Sequence, residues 1–97
     1  MVESKSEVMT DEQMERIGRA LAEPRRLQML RQIGACDGAM ACSVLVQLHE
    51  VSAGTISRHV KELETAGLIK GTRNGKCMDY VLRRDVLAAY LARLAAI

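Results

Sequence analysis

Apolar positions recur along most of this chain at helical spacing, and one short stretch alternates instead. The clearest helical segment is residues 52–67, SAGTISRHVKELETAG. Within it Ile56, Val60 and Leu63 fall at i, i+4 and i+7 and form one apolar stripe. Ser52 suits the start, because its hydroxyl can accept a free N–H of the first turn, and Gly67 suits the stop, because it tolerates the left-handed conformation. On the opposite side lie Gly54, Arg58, Lys61 and Thr65, flanked by Thr55 and Ser57. One face is built to sit on a core while the other offers hydroxyls and cations.

The flanking segments give this helix a setting. Residues 1–9 are polar and of mixed charge and read as a disordered tail, leaving residues 10–97 as the domain. Thr10 and Gln13 have the spacing of a capping box, which opens a first helix over residues 11–22 with Met14, Ile17 and Leu21 as its stripe. Glu23-Pro24 ends that helix and starts a second over residues 24–33, which should bury Leu27, Leu30 and Ile33 and leave Arg25, Arg26 and Arg31 outside. Gly34, Asp37 and Gly38 mark a loop, followed by a short third helix over residues 42–49 with Val44, Leu45 and Leu48 as its apolar positions. Glu50-Val51 is then a tight turn into the Ser52 helix. Two helices so closely joined, the second with a polar outer face, form a helix-turn-helix.

Beyond Gly67 the period changes. Residues 68–73 and 76–82 read as strands around Asn74-Gly75, a strong hairpin signal. Met78, Tyr80 and Leu82 share one side of the second strand, and Cys77, Asp79 and Val81 the other. A hairpin with Arg73 and Lys76 at its tip, directly after a helix-turn-helix, is a wing. A last helix over residues 84–97 carries Leu87, Tyr90, Leu91 and Leu94, widened by Val86 and several alanines. That face exceeds what a small core needs, so with the first helix it should pack against a second copy. The expected architecture is mainly α with a small β-hairpin, in the order α-α-α-α-β-β-α.

Composition refines the picture only in places. Phe and Trp are absent, so the core must be Leu, Ile, Val, Met and Ala. A net charge of +2 does not by itself indicate nucleic acid. Its distribution is more telling: from Ser52 to Lys76 the cations Arg58, Lys61, Lys70, Arg73 and Lys76 face only Glu62 and Glu64. The start of the chain lacks the apolar run of a signal peptide, and no stretch approaches the roughly 20 apolar residues of a membrane span. A cytoplasmic protein with reduced cysteines is expected. No Cys–His pair, Gly-rich phosphate loop or carboxylate pair suggests an enzyme.

The segments ALAEPRRLQMLRQI, TISRHVKELETAGLI and RNGKCMDYVL together resemble the ArsR/SmtB family of winged helix-turn-helix transcriptional repressors. The match runs from Asp11 to the C-terminus. This resemblance implies a homodimer on a palindromic DNA operator, released when an inducer binds. The family's inducer sites carry over poorly. Its thiol sensors often have Cys-x-Cys near the start of the third helix, where this chain has Ala41-Cys42-Ser43. Its zinc sensors draw Asp and His ligands from the last helix, which here has Asp85 and no histidine.

In the helix-turn-helix setting the candidate DNA contacts are Ser52, Gly54, Thr55, Ser57, Arg58, His59 and Lys61, with Arg73 and Lys76 from the wing. Hydroxyls and arginine can reach base edges, and lysine can reach phosphate. His59, at the edge of the apolar stripe, suits a half-buried place or a phosphate contact. The alternative is a solvated helix face on a module that binds protein and not DNA. Cys42, at the first turn of the third helix, should be favoured as thiolate by the helix dipole, while Cys36 lies past the end of the second helix. The pair suits attacking and resolving thiols, or a soft metalloid such as arsenite; the alternative is two small buried residues. Cys77 reads as filler or a further soft ligand, and His49 and Asp37 as surface residues.

Overall fold

A computed structural model describes residues 9–97. Helices α1 (Asp11–Leu21) and α2 (Pro24–Ala35) lead to a two-residue strand β1 (Met40–Ala41) and the short helix α3 (Cys42–Leu48). Helix α4 (Ala53–Thr65), strands β2 (Ile69–Asn74) and β3 (Cys77–Leu82), and helix α5 (Arg84–Ala95) complete the chain. The expected tail falls on residues 1–8, outside the described residues, and on Met9, which is buried and whose carbonyl accepts from Arg93.

Local chemistry sets the helix boundaries. Thr10 Oγ1 accepts the Gln13 N–H at 3.0 Å and caps α1. Glu23 caps α2 with one carboxylate oxygen that accepts from the N–H groups of Arg25 and Arg26. Pro24 follows at the first helical position, where its missing N–H costs nothing. Ser52 Oγ accepts the Thr55 N–H and caps α4, as its sequence suggests.

The core is aliphatic and central. Ile17 and Ala20 of α1, Met29, Leu30 and Ile33 of α2, Leu45 of α3 and the α4 stripe meet Leu68, just before β2, and Ile69 and Tyr80 from the sheet. One expectation for α2 does not hold. Met29 takes the buried place assigned to Leu27, which is 41% exposed, because the face α2 turns to the core includes 29, 30 and 33. Of the apolar positions of α3, Val44 and Leu48 are exposed and Leu45 is the fully buried one.

The wing is a three-stranded antiparallel sheet in the order β1-β3-β2, where a two-stranded hairpin is expected from the sequence. Met40 pairs with Tyr80 and Ala41 with Asp79, so the end of the supposed loop is a strand. Two residues carry too little alternation to announce one. The turn is also one residue later than Asn74-Gly75 suggests. Asn74 pairs with Cys77, which leaves Gly75 and Lys76 as the turn. Gly75 alone has positive φ, at 68°, as a two-residue turn with glycine first requires. Asn74 stays in the strand and donates to Asp79 Oδ2 at 3.0 Å.

Helix α5 packs lightly. Val86 is its one buried residue, Leu87 and Tyr90 are half-buried, and Leu91 and Leu94 are 54% and 41% exposed. Arg84 holds its start by donating to the Gly34 carbonyl at 2.6 Å, and Arg93 ties its end to Asp11 at 3.0 Å. Among the described residues, no helix is long and apolar enough to cross a membrane.

Candidate nucleic-acid interface

Helix α4 is seated by three side chains. Ile56, Val60 and Leu63 are 0%, 3% and 0% exposed, so the helix cannot roll without uncovering them. Burying side chains of this size contributes about 1.5–3 kcal/mol each. With that face fixed, Gly54, Ser57, Arg58 and Lys61 point to solvent and Thr55 is half-exposed. A Cβ at Gly54 would meet nothing nearer than Ser52 Oγ at 3.8 Å, so this part of the surface is open. Along the N-terminal half runs a chain of polar contacts: Ser52 Oγ stands 3.0 Å from Thr55 Oγ1, which accepts from Arg58 Nη2 at 3.5 Å.

The wing extends the same chemistry. Arg73 lies on β2 opposite Met78, Lys76 occupies the turn, and both are exposed. Among the described residues the ion pairs are Arg19–Glu15, Arg83–Asp85 and Arg93–Asp11. Among the described residues, Arg58, Lys61, Lys70, Arg73 and Lys76 enter no ion pair. Such a surface attracts a polyanion, because a bound phosphate displaces counterions and breaks no internal pair.

His59 differs from the rest of the set. It is half-buried, with Nδ1 3.4 Å from Arg26 Nη1, so this ring atom turns toward α2. Burial lowers its pKa; Glu23 opposes that shift, and Arg26, Arg25 and Arg58 reinforce it.

His49 is not a surface residue. It is 5% exposed, with Nδ1 3.1 Å from Arg25 Nη1 and Nε2 2.8 Å from Gln32 Oε1. Burial, reinforced by Arg25, lowers its pKa. Nor do Arg25 and Arg26 simply face water. Arg26 Nε donates to the Ala20 carbonyl at 2.8 Å and Nη2 to Arg19 O at 3.4 Å, satisfying carbonyls at the end of α1. Periodicity cannot reveal these contacts, since each partner lies far off in sequence. The available signal is two arginines in the first turn of a helix in a chain with only two histidines.

The cysteines depart from expectation. Burial pushes the Cys42 thiol above its ordinary value, and neighbouring Cys77 pushes it the same way. A helix of seven residues has a weak dipole, and desolvation outweighs it. The thiol whose charge Cys42 feels is thus Cys77 of β3, while Cys36 Sγ donates to the Ala39 carbonyl at 3.5 Å. Cys36 is half-buried, and Cys77 and Asp37 are exposed. Among the described residues no group of three or more His, Cys, Asp or Glu side chains could hold a metal ion.

Comparison with known proteins agrees with this geometry. The family described as "Helix-turn-helix domain" matches residues 21–72, more than half of the chain. The HTH-type transcriptional regulator CmtR of Mycobacterium tuberculosis is 29% identical over 89 residues, covering 92% of this chain and 74% of that protein. A crystal structure of an ArsR family transcriptional regulator superposes with a TM-score of 0.79 at 25% identity, covering 90% of this chain and 88% of that one. The solution structure of a homodimeric winged helix-turn-helix DNA-binding domain from Mycobacterium bovis gives a TM-score of 0.73 at 27% identity, covering 97% and 87%. A seated helix with a polar outer face, a sheet placed beside it as a wing, and these relatives agree: the chain belongs to the helix-turn-helix domain family and is a winged helix-turn-helix transcriptional regulator of the ArsR family.

Proposed function

We propose that the protein is a homodimeric, sequence-specific DNA-binding repressor that reads a palindromic operator with α4 and leaves it when an inducer binds. Residues 10–97 carry both DNA binding and dimerisation. The observation that supports this most strongly is the outward face of α4, where Arg58 and Lys61, in no ion pair among the described residues, stand beside the basic wing. Ser52, Gly54, Thr55, Ser57 and Arg58 form the base-reading part; Lys61, Arg73 and Lys76 contact phosphate; His59 lies at the margin. The dimer reading rests on the exposed leucines of α5 and on the homodimeric relative.

Binding should weaken steeply with salt, with a log–log slope of about −0.9 for each phosphate neutralised. Fluorescence anisotropy on labelled duplexes measures it. A flat salt dependence, or no binding at low ionic strength, contradicts the reading and favours a protein-binding winged helix.

Helix α3 is where an inducer would act, because it directly precedes α4 and carries Cys42, six residues after Cys36 in the chain. Soft metalloids such as arsenite are the ligand class these thiols suit. Titrating arsenite into the DNA complex should release wild type and leave Cys36→Ser and Cys42→Ser bound. Release of all three alike assigns the inducer to another site.

A further inference from the structure

The first turn of α2 reaches both helices of the helix-turn-helix through two histidines. Arg25 Nη1 lies 3.1 Å from His49 Nδ1, and Arg26 Nη1 lies 3.4 Å from His59 Nδ1. A guanidinium can only donate, so each Nδ1 must be an unprotonated acceptor. His49 then carries its single proton on Nε2, where Gln32 Oε1 accepts it at 2.8 Å. The positions matter. His49 is the C-cap of α3 and leads into the turn, and His59 is in the middle of α4. Their arginine partners are fixed from behind, because the Glu23 carboxylate accepts both backbone N–H groups and Arg26 also grips the end of α1.

We propose that Arg25–His49 and Arg26–His59 form a proton-sensitive latch, which holds the helix-turn-helix against α2 while both rings are neutral and releases it on acidification. Protonating either Nδ1 sets an N–H against an N–H and places a cation beside a guanidinium. Among the described residues, the charged group facing His49 is Arg25. Those facing His59 are Glu23, Arg25 and Arg26 from the start of α2 and Arg58 from its own helix. One carboxylate therefore stands against three guanidinium groups, and His49 has none.

The sign follows from these surroundings. Both rings take up a proton less readily folded than unfolded, so their contribution to stability is complete above the ordinary imidazole value of 6.5. It is lost as pH falls through that value toward the lower folded one. The consequence for operator affinity rests on the DNA-binding reading. Simple charge gain predicts the opposite, since a newly cationic His59 beside DNA would tighten binding at low pH.

The test is a titration from about pH 7.5 to about pH 5.5 at constant ionic strength, across the range where imidazoles ionise. Three measurements are made: NMR of the two ring Cε1–H signals, amide exchange in α4, and anisotropy with the tightest duplex available. Both rings should titrate below 6.5, the protection factors of α4 amides, corrected for the slower intrinsic exchange in acid, should fall at the acid end, and duplex affinity should fall by about tenfold or more. His59→Asn, whose amide oxygen can replace Nδ1 as acceptor but cannot ionise, should lose less affinity over the same range.

Rings that titrate at or above 6.5, or affinity that rises on acidification, overturn the latch. If the protein binds no duplex even at the upper pH, the DNA-binding reading fails by itself. The latch then stands or falls on whether the α4 protection factors fall in acid. The ring titration uses wild-type protein, so poor folding of a variant does not obscure the result.

Discussion

Ser52 and Thr55 are joined twice: Ser52 Oγ accepts the Thr55 N–H at 3.1 Å and stands 3.0 Å from Thr55 Oγ1. The same hydroxyl caps α4 and begins the polar face that Arg58 continues. On the proposed reading, stability and recognition share this atom, and substitutions can separate them. Ser52→Ala removes the cap and should cost about 1 kcal/mol. In a domain this size that lowers the melting temperature by about 4–8 °C. Ser52→Asp should keep the cap and the stability while weakening DNA binding, because it places a carboxylate against phosphate. Thermal unfolding and anisotropy on both variants check this.

Arg58 is exposed and its nearest polar partner is Thr55 Oγ1, so Arg58→Ala should leave stability within about 0.5 kcal/mol of wild type. Its effect falls on DNA: a loss of about 1–3 kcal/mol per half-site and relaxed specificity at the base it reads. Lys61→Ala should weaken all duplexes alike and lower the salt slope by about one phosphate. Affinities for matched and mismatched duplexes, measured over a salt series, distinguish the two roles.

Gly67 holds φ of +83° just after α4, with the Leu68 N–H donating to Leu63 O at 3.0 Å to close the helix. Gly67→Ala forces a side chain into that conformation, 3.2 Å from Gln13 Nε2, and should cost about 1–2 kcal/mol. Denaturant unfolding at constant m-value measures it.

Leu91 and Leu94 are exposed on a helix that buries little of itself. A stable interface typically covers about 800 Å² per partner, and paired carboxylates at its centre would abolish it. The double variant Leu91→Glu/Leu94→Glu should sediment as a folded monomer. A wild type that is itself monomeric at micromolar concentration refutes the dimer.

How far the sequence speaks depends on whether a feature is periodic or long-range. Ile56, Val60 and Leu63 announce their burial because a helix repeats its inner face every three to four residues, and Thr10, Ser52 and Gly67 mark ends through local chemistry. Met29 in place of Leu27 is lost because the two lie on opposite flanks of Leu30, and spacing alone does not decide which flank faces the core. Strand β1 is too short to show a pattern, and its pairing with β3 spans some forty residues. His49 looks isolated because Arg25 and Gln32 lie a helix and a loop away. The pKa of the Cys42 thiol is raised by burial, a tertiary effect that its place at a helix start does not disclose. The outer face of α4 was legible for the converse reason: it is what remains once the inner face is assigned.

On the proposed reading, two copies of this chain present their α4 faces to one DNA duplex. Selection of the wild-type protein against a pool of random duplexes at low salt tests it most directly. The account predicts enrichment of an inverted repeat with half-site centres about one helical turn, or a multiple of one, apart, and no such enrichment for Arg58→Ala. An unenriched wild-type pool, or the same repeat enriched undiminished by Arg58→Ala, would contradict it.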